Sequence, residues 1–336
     1  MFCMPALTSN PKLKSRLCRL ILFGVLLVVI STNVPPISGE TLSVLVYSRT
    51  TGFRHDSIPV GVQAIQDLGV AYGFSVIASE DPTIFSDTAL AQFDAVVFLH
   101  TTGNPLEGAQ RSAFERFIES GKGFVGIHAA SDVDGTWPWY VQLLGAQFAG
   151  HPAIQTATID VIDPIHPSTT NLSTPWQRTD EWYNFQNLNP NIHVLLNLNE
   201  STYNGGTMGT NHPISWFQQF GAGRSWYTGG GHTVESYQEV DFLQHLAGGI
   251  LWAAARAGDY NRDGAVDGAD YVVWRNGLGT TFTQSDYEVW RSHFGQAAGS
   301  GESLYSTPEP STRLLLTMVA VAIVQSRRKS GPHNRV

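Results

Sequence analysis

The sequence predicts an α/β fold built on a parallel sheet, and three observations carry that expectation. Short apolar runs alternate with helical stretches through residues 40–256. The runs at 44–47, 95–99 and 123–127 are apolar throughout, as buried strands of a parallel sheet should be. Hydrophobic residues make up 42% of the chain and charged residues only 14%, a globular rather than a disordered composition.

The elements follow in order. Val44-Leu45-Val46-Tyr47 reads as a buried strand, and residues 58–72 as a helix with apolar positions near 3.6 spacing. Phe74-Ser75-Val76-Ile77-Ala78 is a second strand and Ala95-Val96-Val97-Phe98-Leu99 a third. Residues 107–120 form a helix with Phe114, Phe117 and Ile118 on one face, ended by Gly121. Gly123-Phe124-Val125-Gly126-Ile127 is a fourth strand; such alternation indicates right-handed βαβ units. Beyond residue 150 the pattern turns β-like, at 154–162, 193–198, 214–220 and 224–227, and a helix at 240–255 closes the domain.

No G-x-G-x-x-G follows the first strand and no G-K-[ST] occurs, so nothing supports a nucleotide cofactor. A net charge of −8 argues against a nucleic-acid partner, which needs a basic face to displace phosphate counterions.

The two ends give an address. Lys12, Lys14, Arg16 and Arg19 precede the eleven-residue run 20–30, and small residues follow towards Gly39. That is the layout of a secretory signal peptide over residues 1–39. As a helix the run would reach about 16 Å, too short for a hydrocarbon core of about 30 Å; an uncleaved anchor is the other reading. Both cysteines, Cys3 and Cys18, lie inside this segment, so the processed chain would have neither a disulfide nor a thiol nucleophile. At the other end Pro308-Glu309-Pro310, the apolar stretch 314–324 and Arg327-Arg328-Lys329 resemble the PEP-CTERM sorting signal, over residues 308–330. The resemblance implies export to the periplasm, outer surface or exterior of a Gram-negative-type bacterium, with membrane tethering before processing.

In an open α/β sheet, ligands sit beyond the carboxyl ends of the strands. The first strand is followed by Arg54-His55-Asp56-Ser57, the third by His100, and the fourth by His128 and Asp132. Three strands thus deliver a histidine to one edge, which points to a site. His151, Glu181, His212 and His232 are further candidates; their ordinary readings are His-Pro turns and a tight glycine loop at Gly229-Gly230-Gly231.

Phe53-Arg54-His55-Asp56-Ser57-Ile58, Gly126-Ile127-His128-Ala129-Ala130-Ser131-Asp132, Gly150-His151-Pro152, Asp180-Glu181-Trp182-Tyr183, His212-Pro213-Ile214-Ser215-Trp216 and Tyr227-Thr228-Gly229-Gly230-Gly231-His232-Thr233 together resemble the ThuA-like (trehalose utilisation) family, from residue 42 to 255. The resemblance implies the fold of class I glutamine amidotransferases, a flavodoxin-like three-layer sandwich, and a role with glycosides or sugars oxidised at C3. Amidotransferases carry a cysteine at the elbow after a central strand. Here that elbow reads Gly126-Ile127-His128-Ala129-Ala130, which excludes thiolate chemistry.

Imidazole and carboxylate groups remain. They suit either a divalent metal polarising a sugar oxygen or a histidine acting as general base. We read His128 as that base with Asp132 as its orienting partner, and His55 and Glu181 as further catalytic groups. Arg54, Trp137, Tyr183, His212 and His232 are read as substrate-binding, with Trp139 and Trp182 as further sugar walls, and His151 as a candidate ligand of a second metal site.

Residues 258–296 form a small all-α module. Asp259, Asn261, Asp263, Asp267 and Asp270 stand at positions 1, 3, 5, 9 and 12 of an EF-hand-like calcium loop, with Gly264 at 6 and the Ala265 carbonyl at 7. The helix after the loop, 270–279, is echoed at 286–295, an arrangement that resembles a dockerin type I module. The second loop is missing, so one calcium ion is expected and a cohesin-like partner would be weakly bound. Residues 297–307 read as a flexible linker. The functional expectation is an exported carbohydrate-active protein that hydrolyses or eliminates glycosides or 3-keto-sugars. The alternatives are a non-catalytic surface glycan-binding protein and a scaffold.

Overall fold

The structure, a computed structural model, describes residues 41–261, 265–279, 282 and 284–295. The signal-peptide segment, Asp263, the linker and the sorting segment lie outside the described residues. Among those described, no helix is long and apolar enough to cross a membrane.

The chain runs through β1 (Ser43–Tyr47), α1 (Ile58–Tyr72), β2 (Ser75–Ser79), α2 (Asp87–Leu90), β3 (Ala95–Leu99), α3 (Ala109–Glu119) and β4 (Gly123–Ile127). Next come α4 (Pro138–Leu144), β5 (Gln147–Gly150), β6 (Gln155–Val161), β7 (Trp176–Asp180), β8 (Asn184–Gln186) and β9 (His193–Asn199). The hairpin β10 (Pro213–Phe220) and β11 (Gly223–Thr228), then α5 (Val240–Ala254), complete the domain, and the small helices α6 (Gly268–Gly277) and α7 (Gln284–His293) follow. Nine strands form one sheet in the order β2-β1-β3-β4-β11-β10-β9-β6-β7, while β5 and β8 pair separately.

The expected parallel sheet is half of a mixed one. From β2 to β11 all neighbours are parallel, in the 2-1-3-4-5 order of flavodoxin-like sheets. From β11 to β7 all are antiparallel. Strands β1, β3 and β4 are apolar runs covered on both faces and almost wholly buried, whereas β2 at the sheet edge begins and ends in serine and is largely exposed.

Helices α1 and α5 cover one face and α3 and α4 the other, giving three layers. Phe98, Phe114, Phe124 and Tyr140 interlock on the α3/α4 side with ring centroids 5.2–5.9 Å apart. On the α5 side, Trp226 of β11 lies against glycine: a Cβ on Gly249 would sit 2.4 Å from its ring. The helix therefore approaches β11 as closely as the missing side chain allows. We expect Gly249→Ala to destabilise the fold by about 1–3 kcal/mol through overpacking, read as a lower urea midpoint with an unchanged slope.

Helix α1 starts at Ser57 with proline in its first turn and ends at Gly73 in a left-handed conformation. The sequence reading missed α2, α4, β5, β7 and β8. Strand β7 alternates buried and exposed residues, but its inward side chains are Trp176, Arg178 and Asp180. Its period is two while its buried set is mostly charged, which hides it from an apolar pattern.

Candidate metal centre

The parallel strands set the site at their carboxyl ends. The loop after β1 carries His55, buried next to Ser57 at the start of α1. The residue after β3 is His100 and the residue after β4 is His128, both in left-handed backbone conformations with φ of 54° and 49°. Such φ values are strained for residues with a Cβ and persist where the surroundings enforce them. Here each turns the chain sharply at the sheet edge, so that the imidazole stays within the layer of the site. The glycine run after β11 delivers His232.

Glu181 arrives from farther away. It follows β7, which is four strand positions from β11 in the sheet. The antiparallel half must therefore curl round, and its last residue, Asp180, fixes the closure. The Asp180 carboxylate accepts the backbone N–H of Gly231 at 2.7 Å and of His232 at 3.0 Å, and is paired with Arg178 at 3.0 Å. Arg178 is itself held by Glu239 at 2.8 Å and lies over the Phe242 ring of α5. Two buried charges thus satisfy each other and clamp the glycine loop.

His55, His128, Glu181 and His232 then converge: one ligand atom from each lies within 4.8 Å of the others. His128 donates Nδ1–H to the Gly229 carbonyl at 2.7 Å, which leaves the Nε2 lone pair facing the cluster. That Nε2 is 3.2 Å from His232 Nδ1 and 3.4 Å from Glu181 Oε2, and His232 Nδ1 is 3.0 Å from the same oxygen. Among the described residues His55 Nδ1 is buried with no hydrogen-bond partner, as is Nδ1 of His100, whose ring stacks on His55 at 4.7 Å. His100 Nε2 is held by the Tyr237 hydroxyl at 2.8 Å.

The electrostatics follow from crowding. Burial, with the charges of His128 and His232 behind it, pushes His55 down to about 3. Burial and the same neighbours hold His100 well below the usual histidine range. Burial would raise Glu181, but the imidazoles of His128 and His232 beside it overcome that and hold the carboxyl far below its usual range. His232 is raised despite its burial, because Glu181 pairs with it. Three imidazoles and one carboxylate so close repel through their lone pairs unless a cation sits among them. A proton on His232 does this weakly; a divalent ion would do it for all four.

Outside the cluster, His151 is 41% exposed and its Nδ1 faces two acceptors, Glu181 Oε1 at 2.9 Å and the Pro152 carbonyl at 2.9 Å. Nδ1 therefore carries the hydrogen, and Nε2 is the nitrogen that these contacts leave over. Asp132 is half-buried; burial raises its carboxyl above the usual range, with only the charge of His128 opposing. Phe53 is 66% exposed and meets His55 edge-on at 4.9 Å.

Against this geometry the family can be stated. The trehalose-utilisation (ThuA) family model matches residues 43–253, well over half of the chain. The chain belongs to the ThuA family. A ThuA-like protein from Bacteroides uniformis is 25% identical, with a TM-score of 0.55 over 63% of this chain and 91% of that one. One from Parabacteroides merdae is 18% identical and shares the fold, with a TM-score of 0.54 over 64% of this chain and 90% of the other. No curated protein matches the chain.

Within the ThuA domain the residues expected from sequence divide. His55, His128, Glu181 and His232 come together, so His232 sits with the cluster rather than with a separate substrate wall. His128 is oriented by the Gly229 carbonyl and not by Asp132, and its Nε2 belongs to the cluster instead of standing free as a base. His151 stands outside the cluster and is tied to it through Glu181.

Tyr183 lies tilted against His128 with centroids 4.0 Å apart and is buried, a wall of the cluster. His212 is fully buried, its ring bridging Glu200 and the Tyr183 carbonyl, each at 2.8 Å, so it braces the Glu181 segment from behind. Arg54 is paired with Glu80 on the surface at 2.7 Å. Trp137 donates to Glu115 and packs in the aromatic core, Trp182 is fully buried with its indole on the Gln155 carbonyl, and Trp139 packs against Phe114 and Phe220. None of these three indoles is an exposed sugar platform. Arg178 was missed and Asp180 was quoted in a motif without a role, because buried charges inside a strand look like surface residues in a sequence.

In the small module Asp267 caps α6 and forms a capping box with Asp270. The Asp270 carboxylate accepts the N–H groups of Tyr260, Asn261 and Asp267 at 2.7–3.0 Å, and Asp259 is buried beside this loop.

Proposed function

We propose that this ThuA protein is an exported, divalent-metal-assisted enzyme that cleaves glycosides or 3-keto-sugars by hydrolysis or elimination. The observation that carries the reading is the four-ligand cluster with its unpartnered His55 nitrogen. Three imidazoles and one carboxylate are the donor set of zinc and similar ions, and His55, His128, Glu181 and His232 would hold it. A bound ion would supply Lewis acidity towards a sugar oxygen.

The chain's own groups do the rest. The Gly229 carbonyl fixes the tautomer of His128, Asp180 fixes the loop of His232, and Tyr183 shields the centre from water on one side. His151 Nε2, held in one tautomer by Glu181, takes a proton at the mouth. Asp132, whose carboxyl is raised by its burial, would be the group that gives a proton to the departing oxygen. Phe53 offers its exposed ring to the apolar face of a sugar. In the small module, Asp259, Asn261, Asp263, the Ala265 carbonyl, Asp267 and Asp270 would bind one calcium ion, making it a stiffened mount between the domain and a C-terminal membrane-sorting segment.

The test is direct. The full-length chain should carry about one divalent ion in the domain and turn over at least one of a panel of glucosides, trehalose and their 3-keto forms. Asp132→Asn should lower kcat by about 100-fold or more, as loss of a general acid does, with metal content and KM little changed. Sugar binding without any turnover would replace this reading with a glycan-binding role.

A further inference from the structure

We propose that the domain also carries a subsite for a neutral oligosaccharide, in the cleft at the far end of the β5–β8 ribbon from the metal centre. The inference rests on the carbohydrate reading for the subsite's place on a substrate path, whereas its binding chemistry is argued from the cleft alone. The cleft has a volume of about 590 Å³ and is lined by the amides of Gln142, Gln147, Asn187 and Asn189 and by apolar groups that include Leu188 and Phe220. Among the described residues no charged side chain and no histidine lines it, in a chain whose net charge is −8.

That composition selects a ligand class. An amide offers both a donor and an acceptor, matching hydroxyls that do both. A charged ligand would lose hydration there and find no counter-charge. Asn187 donates Nδ2 to Gln147 Oε1 at 3.1 Å, which leaves the Asn187 oxygen as an acceptor and the Gln147 amide nitrogen as a donor. Asn189 is fixed by Gln218 at 2.9 Å and so serves as wall rather than as a free partner. Gln142 is exposed and its amide makes no hydrogen bond among the described residues. Gly135 keeps the Gln147 amide reachable, since a Cβ there would lie 2.8 Å from its nitrogen. Phe220 is held edge-on by Trp139 at 5.3 Å, an apolar surface suited to the C–H face of a sugar ring.

Placement ties the cleft to the centre. Gln147 pairs with Gln186 at one end of the ribbon and Gly150 with Asn184 at the other. Gln147 and Asn187 therefore stand at the cleft end, and His151 and Tyr183 at the metal end. Four residues of strand span roughly 13 Å, so a ligand touching both ends is longer than a monosaccharide. The subsite makes an extended neutral glycan the substrate class of this domain.

Calorimetric titration of the full-length chain tests this, with cellotetraose, maltotetraose and xylotetraose as neutral probes, tetragalacturonate as the charged control, and a proline-rich decapeptide as the competing class. At least one neutral tetrasaccharide should bind and the two controls should not. The double variant Gln142→Ala/Asn187→Gly should weaken that binding about tenfold or more, as loss of two hydrogen bonds would, with bound metal and turnover of small glycosides unchanged. Glycine is chosen at 187 because Asn187 has a φ of 56°.

Unchanged affinity in the double variant, tetragalacturonate or the peptide binding as tightly, or no neutral probe binding would each overturn the proposal. The catalytic reading fails separately. Binding that the double variant loses, without turnover by wild type, keeps the subsite and removes the enzyme; turnover with an unchanged tetrasaccharide KM in the double variant does the reverse.

Discussion

Glu181→Gln should strip the cation from the domain and abolish turnover while leaving the fold intact. Glu181 supplies the one formal negative charge among the four converging groups, and it is in contact with His128, His151 and His232. Glutamine has the same shape and can still accept hydrogen bonds, so packing survives while the Coulombic attraction for a divalent ion does not. The loss in metal affinity should exceed the roughly 10–100-fold that changes in a metal's outer partners cause. Ligand binding stabilises the folded state by about 2.7 kcal/mol when the ion is at 100 times its Kd. At about 2–4 °C per kcal/mol for a domain of this size, chelation should lower the wild-type Tm by roughly 5–11 °C and leave the variant unmoved. Stoichiometric metal in purified Glu181→Gln, or a chelator response equal to wild type, would show that the cluster is not the metal centre.

The sequence was more informative about the parallel half of the molecule than about the antiparallel half, for a physical reason. A strand buried on both faces announces itself as an unbroken apolar run, and β1, β3 and β4 are of this kind. Because ligands gather at the carboxyl ends of such strands, His55 and His128 could be placed before any coordinates. Glu181 could be named from its motif but not placed, since its position depends on how far the antiparallel strands curl. That curl is secured by Arg178 and Asp180, and their partners Glu239, Gly231 and His232 are more than fifty residues away in sequence.

The division between wall and core was illegible for the same reason. Trp137 and Trp182 share their chemistry with sugar platforms, and only their partners Glu115 and Gln155 show that they are packed inward. His212 reads as a turn histidine until Glu200 and the Tyr183 carbonyl are seen on its two nitrogens. Exposure singles out Phe53, which no spacing distinguishes from a core phenylalanine.

A second large effect is expected in acid, and it originates away from the metal centre. His166 and His245 bracket Ser168 in complementary tautomers. Nδ1 of His166 accepts the Ser168 N–H at 3.1 Å, while Nδ1 of His245 donates to the Ser168 carbonyl at 2.9 Å. The remaining nitrogen of each ring is buried without a partner among the described residues. Burial holds His166 down to about 4 and His245 down to about 3, against an ordinary value of 6.5.

Both histidines are therefore neutral in the folded chain, whereas the unfolded chain takes up a proton on each as the pH falls below about 6.5. Stability is complete above that value and is lost on the way down, towards 4 for His166 and 3 for His245. Each contributes a slope of about 1.4 kcal/mol per pH unit, so the pair acting together over that window would consume much of the 5–15 kcal/mol that typically separates folded from unfolded domains. Urea midpoints measured from pH 7 to 4 should fall steeply for wild type. In His245→Asn the amide can still donate to the Ser168 carbonyl but does not titrate. Its stability at neutral pH should be lower because the ring leaves a cavity beside Trp226, yet its slope below pH 6.5 should be flatter by about 1.4 kcal/mol per unit. Carboxylates that titrate in the same range are common to both proteins and cancel in the comparison. Parallel slopes would show that His245 is already protonated in the fold, and that the Ser168 hub is not what limits stability in acid.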